Sequence, residues 1–256
     1  PTTIVEAEGN FVTQKSKVPV FKTDNITQVS DEALKKPKIL AFDIETYSSS
    51  GKEIVPEKNP IIMLSFYGEK IKKVFTWKKF KTNLNYIEFV NSEAELVQKF
   101  IDTIEDYKPD IITGYFSDGF DLPYIKTRAE KYKIKLDIGS DFSELRVKAG
   151  KRTTPKITGI VHVDIFKFIK RIVGSGMETE FYNLNAVAAE LLGEKKQEVD
   201  LDELPDVWDN KTERIEEFCK YNVQDSVLTF KLCEKMLPNL IELVKIVGLP
   251  LYDVNR

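Results

Sequence analysis

The chain is poor in the residues that carry most nucleophilic and zinc chemistry. Its 256 residues include one histidine and two cysteines. A lone histidine excludes a histidine cluster around a metal, and any Ser-His-Asp or Cys-His mechanism would have to run through His162. His162 lies in the alternating stretch IVHVDIF, a strand pattern in which a structural role is the expectation. Cys219 and Cys233 stand singly in helix-like segments, which is neither a disulfide framework nor a zinc site, so a reducing, cytoplasmic setting is expected. No apolar run approaches the roughly 20 residues that span a bilayer, so no membrane partner is expected. The N-terminal PTTIVEAEGN has no basic stretch followed by an apolar one, unlike a secretory signal.

What is present is ordinary globular composition, 42% hydrophobic and 31% charged, in a chain long enough to bury a substantial core. The net charge of −3 does not by itself suggest nucleic acid, but net charge is a poor guide where an acidic metal site and a basic groove share one chain. Residues 146–156 (RVKAGKRTTPK) carry Arg146, Lys148, Lys151, Arg152 and Lys156 with no acid among them. On its own this run reads equally as a solvated hairpin or as a nucleic-acid contact.

Residues 1–37 are polar and weakly patterned, and read as a lead-in from a preceding region. Short apolar runs at 38–44, 60–68, 71–77 and 110–115 predict strands. Ser92-Glu93-Ala94-Glu95 is a capping-box sequence opening a helix with Leu96, Val97, Phe100, Ile101 and Ile104 on one face. A second helix is expected from about Asp121 to Tyr132. A basic hairpin over 144–164 leads into a strand, and helices follow at 165–173, 183–192 and about 212–246. Strands early and helices around them make an α/β sheet domain.

With histidine and cysteine set aside, the chemistry falls to carboxylates. Asp43 and Glu45 are two apart in a strand, so both face one side and can reach one cation. Asp121 follows the strand DIITGY and a turn. Tyr221 and Asp225 are four apart on a helix and share a face. Converging carboxylates repel one another without a cation, and are the ligands that Mg²⁺ and Mn²⁺ prefer. Two such ions suit phosphodiester hydrolysis. Each piece is weak alone, since a DxE strand is common and YxxxD is usually a surface pair. Their order along one chain is what raises the signal.

Those residues carry a resemblance. AFDIET, ITGYFSDGFDLPYI and YNVQDSVLTF are similar to the three exonuclease motifs of family B DNA polymerases, the third of the tyrosine-containing subclass. FYNLNAVAAELLGEKKQEVD resembles the segment between the second and third motifs, and GLPLYDVNR the end of the exonuclease domain before the palm. The overall cast resembles archaeal members, and the similarity covers roughly residues 38–256.

The resemblance implies a ribonuclease-H-like fold, a mixed central sheet flanked by helices with an inserted β-hairpin. It also implies a proofreading 3′→5′ exonuclease using two Mg²⁺ or Mn²⁺ ions. Asp43 would bridge the ions, Glu45 and Asp225 would hold the one that activates water, Asp121 would bind the other, and Tyr221 would position the water. The partners it implies are the single-stranded 3′ end of a DNA primer and polymerase palm, fingers and thumb domains, in cis or as a separate subunit. Arg146, Lys148, Lys151 and Arg152 would sit on the family's hairpin, which helps separate primer from template.

Two departures stand out. The family usually has Asn five residues before the second-motif Asp, where this chain has Phe116. Phe116 either offers a base a stacking face or packs into the core. No polymerase signature such as DTDS occurs, so the chain alone is not expected to synthesise DNA. Its alternatives are a free-standing exonuclease acting on repair intermediates or RNA, and a non-catalytic scaffold.

Overall fold

Alternating side-chain direction along a strand decides what each face of the central sheet can carry. In a computed structural model, residues 4–30, 36–49, 52–148, 153–194 and 199–255 are described. Ten strands are found among them, β1 (Ile4–Val12), β2 (Val20–Ser30), β3 (Ile39–Thr46), β4 (Ile61–Gly68), β5 (Ile71–Thr76), β6 (Ile87–Phe89), β7 (Ile111–Gly114), β8 (Arg146–Lys148), β9 (Thr154–Lys156) and β10 (Val161–Asp164). The helices are α1 (Glu93–Tyr107), α2 (Asp121–Lys131), α3 (Ile165–Phe168), α4 (Leu184–Leu192), α5 (Leu204–Asn210), α6 (Ile215–Val247) and α7 (Leu251–Val254). The main sheet runs β10-β7-β3-β4-β5-β6. It is mixed, with β10, β7 and β3 parallel, β3-β4-β5 antiparallel, and β5-β6 parallel.

In β3, Leu40, Phe42 and Ile44 pack into the layer beneath α1 and α2. Ile39 and Ala41 face the opposite layer with α4 and α6. By the same alternation Asp43 and Glu45 point toward α6, which is where the third motif lies. The expected strands and the α1, α2, α4 and α6 helices are present, and so is the mixed sheet with an inserted hairpin.

The α1 cap forms nearly as its sequence predicts. Ser92 accepts the Glu95 N–H at 3.2 Å, while the Glu95 carboxylate takes the N–H of Asn91, one residue before the cap, at 2.7 Å. Buried Arg128 of α2 donates through Nε to Glu93 Oε1 at 2.6 Å, and Glu93 also receives the Ile61 N–H at 2.8 Å. This pair locks α2, whose first residue is Asp121, to α1 and β4. Removing one partner of such a pair typically costs about 3–5 kcal/mol.

Some elements depart from the sequence expectations. Within 1–37, where the weak sequence pattern predicted no strands, β1 and β2 form a long two-stranded ribbon. Its side chains are largely exposed on both faces, so no period-2 burial pattern could mark it. The short β6 and α5 were not expected either. The helix expected over 165–173 divides into α3 and a wider turn, Ile169–Val173.

Candidate active site

The turn of α6 that carries the third motif is pinned to the sheet by hydroxyls. Ser65, the β4 residue paired with Asp43, donates from Oγ to the Asn222 carbonyl at 2.9 Å and lies 2.7 Å from Ser226 Oγ. Asn222 and Ser226 are four apart, as are Tyr221 and Asp225, so a single helical register sets both pairs. The result is that Asp43, Glu45 and Asp225 offer carboxylate oxygens that all lie within 4.8 Å of one another. Asn222 Nδ2 donates to Asp43 Oδ2 at 2.7 Å.

Tyr221 is half-buried against this group. Burial raises its pKa well above that of an ordinary tyrosine, and the charges of Asp225, Glu45 and Asp43 add to the shift. The phenol therefore keeps its proton and can serve as a donor.

Asp121 stands outside the three-carboxylate group. It is almost fully buried at the start of α2. Its pKa is pushed up to about 7, first by burial, then by the charges of Asp164 and Asp225, against backbone hydrogen bonds from its own N–H and that of Ile44. The Ile44 contact places it beside the strand segment between Asp43 and Glu45. A cavity of about 280 Å³ opens next to Glu45, with Thr46, Ser48, Lys52, Phe120 and Leu204 in its walls.

The turn before Asp121 has its own support. Asp164, at the end of β10, accepts the N–H of Phe116 at 3.1 Å and of Asp118 at 3.1 Å. Asp118 is paired with His162 Nδ1 at 3.0 Å and with Lys167. Ser117 Oγ lies 2.9 Å from His162 Nε2. Ser117, His162 and Asp118 thus reproduce a serine-histidine-acid connectivity, but all three are wholly inaccessible to solvent. No substrate reaches them, and His162 is a structural residue as its strand context indicated. Asn222, Asp164 and Asp118 were missed by sequence reasoning. Asn222 sits between Tyr221 and Asp225 and could have been flagged by that position, but nothing local marks the other two.

Phe116 does not enter the core. It is 48% exposed and has φ +65°, the left-handed region that residues other than glycine and asparagine seldom adopt. Of the basic hairpin residues, Arg146 and Lys148 are exposed on β8. Arg146 lies opposite Lys156, two like charges that repel across the ladder unless an anion lies near. Lys151 and Arg152 lie outside the described residues. Lys167 joins this hairpin to the motif turn, donating to the Thr153 carbonyl at 3.4 Å as well as pairing with Asp118.

Comparison with known proteins gives a consistent picture. A family model described as DNA polymerase family B, exonuclease domain, matches residues 2–187. A DNA polymerase of Pyrococcus glycovorans is 38% identical over 232 residues, covering 90% of this chain and 28% of the relative. DNA polymerase 1 of Pyrococcus abyssi is 37% identical over 218 residues, 85% of this chain and 27% of its own length. The solved family B DNA polymerase from the hyperthermophilic archaeon Pyrobaculum calidifontis superposes with a TM-score of 0.83. It covers 100% of this chain and 32% of its own, at 22% identity, a likeness of fold. The chain spans less than a third of the length of each of these three proteins.

Proposed function

The chain belongs to the exonuclease-domain family of family B DNA polymerases, and from that premise we propose that it is a metal-dependent 3′→5′ exodeoxyribonuclease that removes nucleotides singly from a primer's 3′ end. The observation that carries this reading is the meeting of Asp43, Glu45 and Asp225 within 4.8 Å, with Tyr221 beside them.

The donor set fits hard cations. It is all oxygen, it contains no histidine or cysteine, and its mutual repulsion calls for positive charge. Asp43, Glu45 and Asp225 would hold one Mg²⁺ or Mn²⁺, and Asp121 with Asp43 a second. Bound there, such ions would supply charge neutralisation at the scissile phosphate and would activate the attacking water. The chain's own residues do the rest. The protonated Tyr221 hydroxyl orients the water, Asn222 fixes the rotamer of Asp43, and the cavity beside Glu45 takes the terminal nucleoside against Phe120.

The partners in this reading are a single-stranded DNA 3′ end and polymerase palm, fingers and thumb domains, in cis or as a separate subunit. The exonuclease domain would occupy 38–256, with 1–37 leading in from a preceding region. No helix among the described residues is long and apolar enough to cross a membrane. The two buried free thiols agree with a reducing, cytoplasmic setting.

The test is cleavage of 5′-labelled single-stranded DNA in EDTA, Mg²⁺ or Mn²⁺. A ladder of products shortening one nucleotide at a time, dependent on metal and lost in Asp43→Ala together with Mn²⁺ binding, is the expected result. Wild-type cleavage and metal binding in Asp43→Ala would overturn the assignment.

A further inference from the structure

The left-handed turn that precedes Asp121 does more than aim a carboxylate. It holds the Phe116 ring out of the core, where it meets the Phe166 ring edge-on at 5.3 Å. Phe166 also meets Tyr115 at 5.5 Å, and the Tyr115 hydroxyl is anchored on the Tyr182 carbonyl at 2.5 Å. Lys170, one turn beyond Phe166, hangs its ammonium 5.4 Å from the Phe166 centroid and 5.9 Å from that of Tyr182. Lys170 and its neighbour Arg171 are exposed, and neither forms an ion pair with a carboxylate among the described residues. Phe181, beside Tyr182, is 69% exposed.

Phe116 and Phe181 are exposed and Phe166 is half-buried, and such rings interleaved with cations are costly on a surface facing only water. They suit a ligand that has both a π-face and a negative backbone. Single-stranded nucleic acid has both, whereas a duplex hides its base faces. The patch adjoins the carboxylate site along the chain, because Phe116 lies in the turn that leads into Asp121 at the start of α2, and buried Asp164 braces that turn by accepting the Phe116 N–H.

We infer that Phe116, Phe166 and Lys170 form a stacking subsite for an unpaired nucleobase upstream of the 3′ end, with Lys170 and Arg171 drawing the adjoining phosphates. This deepens the exonuclease reading and rests on it for the direction of the strand. Such a subsite tolerates any base, because every base has a face to stack. It also makes affinity grow with substrate length once the strand is long enough to reach it.

The test is equilibrium binding of labelled (dT)2, (dT)4 and (dT)8 in EDTA, with a 2-aminopurine placed at successive positions from the 3′ end. The wild-type chain should bind (dT)8 on the order of tenfold more tightly than (dT)2, with 2-aminopurine quenched at one upstream position. A blunt duplex should give neither effect. Phe166→Leu, which keeps apolar volume, should abolish the quenching and most of the length gain. Lys170→Gln, a surface change, should reduce the gain while leaving the melting temperature as in wild type. Length dependence kept in both variants would overturn the subsite, and is what an apolar protein partner covering this surface would give. Equal binding of duplex would also overturn it. Because cleavage is not read, a chain that binds and quenches but never hydrolyses DNA would refute the exonuclease reading alone. One that hydrolyses DNA while both variants bind like wild type would refute the subsite alone.

Discussion

The Asn222 amide donates to the Asp43 carboxylate at 2.7 Å, linking the helix of the third motif to the strand of the first. Its own Oδ1 is buried and meets no hydrogen-bond donor among the described residues. The contact to Asp43 therefore selects the orientation of the amide, and the neutral donor holds Asp43 without adding charge. Asn222→Ala is expected to weaken Mn²⁺ binding by about 10–100-fold, the usual effect of removing a group that orients a metal ligand. Calorimetric titration reads this directly. Wild-type affinity would mean that packing alone holds Asp43.

Tyr221→Phe separates positioning from metal binding. The ring still fills its half-buried place, but the hydroxyl near Asp225, Glu45 and Asp43 is gone. Cleavage should slow by about ten- to a few-hundred-fold with metal affinity kept. An equal fall in Mn²⁺ affinity would mark the tyrosine as support for Asp225 instead.

Asp121 predicts a pH dependence. Its folded pKa of about 7 lies above the ordinary carboxylate value, so the folded chain holds this proton more tightly than the unfolded chain does. Between roughly pH 4 and 7 the native state then binds more protons, and stability falls as pH rises. Asp164, also raised chiefly by burial, acts in the same sense. The metal-free chain should melt several degrees lower at pH 8 than at pH 5, and Mg²⁺ should recover much of the difference. In Asp121→Asn the slope should flatten. A variant retaining the full slope would place the titration elsewhere.

The hairpin charges should act on affinity rather than on the chemical step. Arg146→Ala with Lys148→Ala is expected to reduce the log-log salt slope of DNA binding by roughly one to two units, about one for each lost phosphate contact. Including Lys151→Ala and Arg152→Ala should extend the effect. An unchanged slope would return the run to a solvated loop.

The sequence by itself determined whatever repeats within one element. Two-residue spacing put Asp43 and Glu45 on one face of a strand, and four-residue spacing put Tyr221 and Asp225 on one face of a helix. These directions follow from backbone geometry and need no neighbour. Packing decided the rest. The register of α6 on β4, set by Ser65 and Ser226, brought Asp225 to Asp43 and made Asn222 a partner. Burial, which no local pattern encodes for a lone acid, separated Asp121 from the other carboxylates and raised its pKa. The same packing sealed the Ser117–His162–Asp118 chain away from solvent. It also turned Phe116 outward, because Asp164 captures the backbone N–H groups of Phe116 and Asp118 from a strand more than forty residues away. A side chain's direction within an element is local, but its solvent, its charge and its partners belong to whatever packs against it.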